Sequence, residues 1–371
     1  MSPNPRLQAL TDAGVSAWLD DLDRARIQSG QLAELAEAMC VRGVTTNPTI
    51  FDKAISTGAA AYADQLRSLA AQGADTDQII RALTTDDVRA ACDVLRPIWE
   101  SSAGEDGRVS IEVDPRLAHD THATVAQAVE LWSIVDRPNV LIKIPATAEG
   151  LPAITQTIAA GISVNVTLIF SVENYRQVVN AYVAGLEQAA DAGHDLSTIR
   201  SVASFFVSRI DTEVDARLRA IGTPEATALL GRAAIANARM AWAAHKESLA
   251  TAEWSSVATR GANVQRPLWA STGVKDPAYD PTRYVVDLVV RGCVNTMPEA
   301  TLDAVADQGV IPDDSVTGTA TESAVVWMDL SQLGIEEAEV CDKLEREGVA
   351  KFIDSWEALR STVAAAAGVS A

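Results

Sequence analysis

Histidine is scarce in this chain, with four among 371 residues. It is the commonest protein ligand for metals, so a metal centre built on imidazoles is disfavoured. His119 and His122 are three apart and could share a helical face, yet "LAHDTHATV" reads as a solvated loop and helix start. Cysteine is as rare. Cys40, Cys92, Cys293 and Cys341 are scattered, without CxxC spacing. That excludes a disulfide scaffold and suits a reducing compartment. No stretch approaches 18 uninterrupted apolar residues, which excludes a spanning helix of the usual kind. The N-terminal "MSPNPRLQAL" lacks a basic region followed by an apolar core, so no secretory leader is expected and the cytoplasm is the default location. Positive charge is also short. Thirty basic residues face fifty acidic ones, for a formal charge of −20. Nucleic acid would want a basic face, and none is offered. A small anionic substrate remains open, because charge inside a cleft outweighs surface charge beyond a screening length of roughly 8 Å.

What is present is alternation. Short β-branched runs are separated by amphipathic helical stretches. The candidate strands are "VSAWLD" (15–20), "RGVTTN" (42–47), "RVSIEVD" (108–114), "NVLIKIP" (139–145), "SVNVTLIF" (163–170), "SVASFFV" (201–207), "RPLWAST" (266–272) and "GCVNTMP" (292–298). Eight strands alternating with helices predict a parallel (β/α)8 barrel, a TIM barrel of the α/β class. The alternative is an open doubly wound sheet. No GxGxxG or GxxxxGK[ST] follows any strand, which weakens it. Residues 1–371 read as one barrel domain with extra helices over 208–262. Residues 308–371 read as a helical C-terminal extension packing on the barrel. Ser171 is placed to cap one helix, with Gly193 to stop it. A single helix is expected over "TPEATALLGRAAIANARMAWAAH", with Thr223 as cap and Pro224 in its first turn. The acidic "GIEEAEVCDKLEREG" reads as a solvated helix face.

In such a barrel the active site lies at the C-terminal ends of the strands. Polar residues near those ends are Asp20, Asn47, Glu112, Lys143, Asn165 with Thr167, Ser204 and Ser271. Lys143 stands out, because it interrupts an apolar run. Burying an unpaired ammonium costs several kcal/mol. Two readings stay open on pattern alone. The lysine could be structural, paired with Glu112 or Asp20 or snorkelling outward. Or it could be a nucleophile, since burial disfavours the ammonium and a neutral amine attacks ketones.

Four segments decide what the pattern resembles. "GVTTNPTIF" (43–51), "IEVDPRLAHD" (111–120), "VLIKIPAT" (140–147) and "VNVTLIFS" (164–171) occur in this order, and together the chain resembles the transaldolase family over residues 15 to 305. That resemblance implies a class I aldolase without metal or organic cofactor. It would move a dihydroxyacetone unit between sugar phosphates of the pentose phosphate pathway; the sequence leaves monomer and homodimer both open. By position, Lys143 resembles the Schiff-base lysine. Asp20 resembles the aspartate that takes the substrate hydroxyl proton; Asp21 competes, but alternation cannot turn both inward. Glu112 resembles the glutamate acting through a water that Thr167 helps to hold. Asn47 and Asn165 resemble residues binding substrate hydroxyls. Ser204 and Phe206 would lie at the site, with Arg209 at the phosphate.

Strand seven departs from the family pattern. "WASTGVKDPAYD" (269–280) keeps Ser271 but lacks the usual arginine, so Lys275 is the nearest cation for the phosphate, with a solvated loop as its bland reading. This variant resembles the branch containing isomerase-fused transaldolases, without room for an isomerase. The close rival is a fructose 6-phosphate aldolase-like enzyme, which typically carries glutamine and tyrosine where this chain has Glu112 and Phe206. A second rival is a sugar-phosphate-binding barrel without catalysis, against which the set Lys143, Glu112 and Asp20 argues. Trp99, Trp132, Trp242 and Trp356 read as core residues. Trp269 could line the site or fill the core.

Overall fold

The computed structural model describes residues 2–369. All eight expected strands form: β1 (Ser16–Leu19), β2 (Gly43–Val44), β3 (Arg108–Glu112), β4 (Val140–Pro145), β5 (Val164–Ile169), β6 (Ser201–Phe206), β7 (Arg266–Ala270) and β8 (Val294–Met297). They pair in parallel, in chain order, and β8 closes on β1. Every strand residue is buried, because outward side chains meet the helices and inward ones fill the barrel.

The inward residues explain why one end is closed and the other polar. At the N-terminal end Arg266 reaches Asp106 at 3.0 Å and Ser16 Oγ at 2.6 Å. Above them lies the indole of Trp18. It fits because β2 has no side chain at Gly43, where a Cβ would sit 2.5 Å from the ring. Arg108 is fully enclosed there, and burial pulls its guanidinium down to about 9. At the opposite end the register lines up Glu112, Lys143 and Asn165 on three adjacent strands. Between Val166 and Ile169 the ladder between β5 and β6 shifts register, and Leu168 there takes φ +61°. Trp269 faces outward, edge-on to Phe205 at 6.3 Å, with its N–H on the Leu288 carbonyl. It is core.

The helices follow the capping signals with one correction. Ser171 caps the helix Val172–Asp191, accepting from the Asn174 amide, and Gly193 follows with φ +86°. The single helix expected after Thr223 is two: Pro224–Ala228 and Ala233–Ser248. Gly231, between them, takes φ +69°, and a Cβ there would meet Arg283 at 2.7 Å. A left-handed residue cannot continue a right-handed helix.

The last helix, Glu337–Ala367, runs 31 residues. It packs across the helices Pro48–Thr57, Thr76–Ser101 and Ser208–Ile221 and touches β5. Val340, Cys341, Leu344, Gly348, Val349 and Phe352 form its buried stripe, while Asp342, Arg346 and Glu347 face water. Lys343 pairs with Glu213 at 2.7 Å, and Arg360 with Asp77 at 2.9 Å. Thr362 donates to Asp52 at 2.6 Å. At Gly348 the helix comes so close that a Cβ would lie 3.1 Å from Leu168. Among the described residues no helix is long and apolar enough to cross a membrane.

Candidate active site

At the polar end of the barrel a cavity of about 90 Å³ opens among Asp20, Asn47, Lys143, Ser204, Arg209 and Phe352. Lys143 is its focus and is only 5% exposed. Its ammonium donates to the Thr46 carbonyl at 3.0 Å and lies 3.4 Å from Glu112 Oε2. The pair attracts but is not aligned for a hydrogen bond, and Glu112 Oε2 receives none. Burial pushes the Glu112 carboxyl up to about 7, against the pull of Lys143. Asp20 adds to the rise. A carboxyl near neutrality can both give and take a proton at working pH.

Asp20 directly follows β1 and turns inward. Thr45 donates to its Oδ1 at 2.6 Å, so Thr296, 2.6 Å from the same hydroxyl, must donate to Thr45. This relay leaves the other carboxylate oxygen for a ligand. Asp21 turns outward to Arg26 at 3.3 Å, with its carboxyl raised by burial. Strand alternation separates the two as expected. Asn47 caps the helix Pro48–Thr57 through the Ile50 amide at 3.0 Å and lines the cavity.

Thr167 lines the cavity too, and its hydroxyl is buried without a partner. Asn165 lies deeper. It donates to Ser110 at 2.9 Å and accepts from Ser204 at 2.7 Å. Phe206 packs on Phe170 with centroids 5.2 Å apart. Arg209 stacks over Phe206 at 5.1 Å. Burial pulls its guanidinium below the usual value, and it has no acidic partner among the described residues. Ser271 sits at φ +55° and shares a 3.0 Å hydrogen bond with Ser208.

Lys275 is the one expected site residue placed elsewhere. It is exposed and lines a neighbouring hollow with Asp211, Asp215 and Asp276. Three contributors escaped the sequence reading. Thr45 stands two residues before Asn47, so alternation alone could have turned it inward. Thr296 follows the same rule on β8. Phe352, whose ring faces the Lys143 ammonium at 5.5 Å, carried no local signal. Of the tryptophans read as core, Trp242 is buried, whereas Trp99, Trp132 and Trp356 are only half-buried. Asp114 caps the short turn at Pro115, and exposed His119 meets Glu149 at 3.0 Å.

The family model described as "Transaldolase/Fructose-6-phosphate aldolase" matches residues 17–363. Curated relatives named "Transaldolase" align over nearly the whole chain. One, from Mycolicibacterium paratuberculosis, is 61% identical over 357 residues, covering 96% of this chain and 95% of its own. Another, from Mycolicibacterium smegmatis, is 60% identical over 359 residues, covering 97% and 96%. A third, from Mycobacterium marinum, is 60% identical with 96% of each chain covered.

Proposed function

The chain belongs to the transaldolase/fructose-6-phosphate aldolase family, and we propose that it works as a transaldolase through a Schiff base on Lys143. It transfers dihydroxyacetone between ketose and aldose phosphates, with sedoheptulose 7-phosphate and glyceraldehyde 3-phosphate giving erythrose 4-phosphate and fructose 6-phosphate. Cytoplasmic residence is part of this proposal. The observation that carries the mechanism is the buried Lys143 ammonium, 3.4 Å from a carboxyl whose burial holds it near neutrality.

Lys143 passes a proton to Glu112 and attacks the ketose carbonyl at C2. Glu112, through a water, returns a proton to the carbinolamine hydroxyl, which leaves as water and gives the iminium. The unpartnered Thr167 hydroxyl and Glu112 Oε2 suit that water. Asp20 then takes the C4 hydroxyl proton. The C3–C4 bond breaks, its electron pair moves into the iminium, and the aldose leaves an enamine behind. The next aldehyde is attacked by C3, and its oxygen recovers the proton from Asp20. Hydrolysis reverses the first steps. Arg209 holds the phosphate as the uncompensated cation at the mouth, and Asn47, Asn165, Ser204 and Ser271 arrange the hydroxyls directly or one bond removed. Phe352 and the last helix keep bulk water from the enamine.

Borohydride reduction in the presence of fructose 6-phosphate tests this. Mass mapping should place one dihydroxyacetone-sized adduct on Lys143, and Lys143→Met should fold yet form none. An adduct on another lysine, or no adduct, would sink the proposal.

A further inference from the structure

A second cavity lies beside the first, with Asn47 lining both and Glu112 lining only the second. It measures about 140 Å³. Glu112 and Ile111 form its inner end, Thr84, Leu131 and Trp356 its walls, and Arg116 its rim. Glu112 Oε2 faces Lys143 at 3.4 Å without accepting a hydrogen bond, and Trp356 Nε1, a buried donor in the cavity wall, has no hydrogen-bond partner. Glu112 is itself 92% buried, being 8% exposed. A polar cavity of this size has room for several waters. It is unsuited to an anion, because Arg116 is already held by Asp114 and by Asp77 at 3.0 Å. Arg81 likewise pairs with Glu130 at 3.0 Å.

We propose that this cavity is a water route, through which the water released in forming the Lys143 imine leaves and the water that hydrolyses it returns. The inference rests on the Schiff-base reading above. Each turnover releases one water and consumes one, with the Glu112 proton cycling between lysine, carbinolamine and water. The mouth is poorly placed for that traffic. A bound sugar phosphate fills it, and Phe352 covers the amine. Water arriving there would also meet the nucleophilic C3 of the enamine, where a proton ends transfer and frees dihydroxyacetone. A route opening at Glu112 delivers water to the imine carbon from the carboxyl's side. The near-neutral Glu112 carboxyl suits proton exchange with such a chain.

The test is ¹⁸O exchange into C2 of fructose 6-phosphate in labelled water, corrected for the uncatalysed rate. Thr84→Met and Leu131→Phe fill the cavity from two helices. Each should slow enzymatic exchange about tenfold while leaving KM for fructose 6-phosphate unchanged. Exchange within twofold of wild type in folded, filled variants overturns the route. Should both fail to fold, Trp356→Phe removes the indole donor; a fall of about threefold is then expected, and none overturns the proposal. Failure of the Schiff-base reading looks different, since wild type itself would show neither borohydride trapping nor exchange.

Discussion

Arg209 is a half-buried cation without a counter-ion among the described residues, in a protein of formal charge −20. Such a group is costly unless a ligand supplies the missing anion. Charge-assisted hydrogen bonds are worth about 1.5–3 kcal/mol. Arg209→Ala should therefore raise KM for phosphorylated substrates on the order of 10- to 100-fold, and leave unphosphorylated glyceraldehyde nearly unaffected. Lys275→Ala, measured beside it, should change KM by less than about threefold if the exposed lysine stays in its acidic hollow. A larger loss at Lys275 than at Arg209 would move the phosphate contact to the β7 loop. The sequence could suggest both cations, since both follow a strand end. It could not rank them, because their difference lies in what surrounds each guanidinium or ammonium in space. The inward residues Lys143, Glu112, Asp20 and Thr167 were legible for the opposite reason: period-two alternation and the closed barrel leave such side chains one direction to point.

At the scale of elements, the strands were legible because each is a short β-branched run between helical stretches. The break at Gly231 was less so. A glycine inside a helical pattern costs only about 1 kcal/mol, so its left-handed turn is set by Asp215, whose carboxylate accepts the Gly231 amide, and by Arg283 packed where a side chain would go. The last helix was legible as a helix, but its course over the mouth depends on contacts hundreds of residues apart, such as Thr362 with Asp52. Its consequence is testable at Phe352, which is 6% exposed. Phe352→Ala should cost about 3–5 kcal/mol of stability at most. It should also raise release of free dihydroxyacetone from fructose 6-phosphate severalfold when no acceptor is present. Unchanged partitioning, measured by enzymatic assay of dihydroxyacetone, would remove the helix from the chemistry.

For the molecule as a whole, the site has a stability signature in pH. The Glu112 carboxyl is raised from 4.5 to about 7 by burial. The folded protein thus holds this proton more tightly than the unfolded chain. Its contribution to stability is complete below about pH 4.5, declines as pH rises, and is lost above about pH 7. The loss is at most on the order of 3 kcal/mol, since one unit is worth about 1.4 kcal/mol, and Lys143 moderates it. Glu112→Gln lacks that decline. Its Tm minus that of wild type should climb from pH 5 to pH 8; a flat difference would mean the carboxyl titrates at its ordinary value. The backbone carries a related tension. Among the described residues five non-glycines have positive φ; Cys40, Ala103 and Asp136 sit just past helix ends, whereas Leu168 and Ser271 sit at the barrel mouth. Left-handed geometry costs a non-glycine residue roughly 1–2 kcal/mol. Glycine at 271 would relieve that cost on paper, whereas glycine at 168 would lose more, because Leu168 is a buried core side chain whose removal costs about 2–5 kcal/mol. At Ser271 the change would also loosen the stretch of chain that seats Ser208, so a hardier protein built there would be a worse catalyst, and the gains worth harvesting lie in the loops at the other end of the barrel.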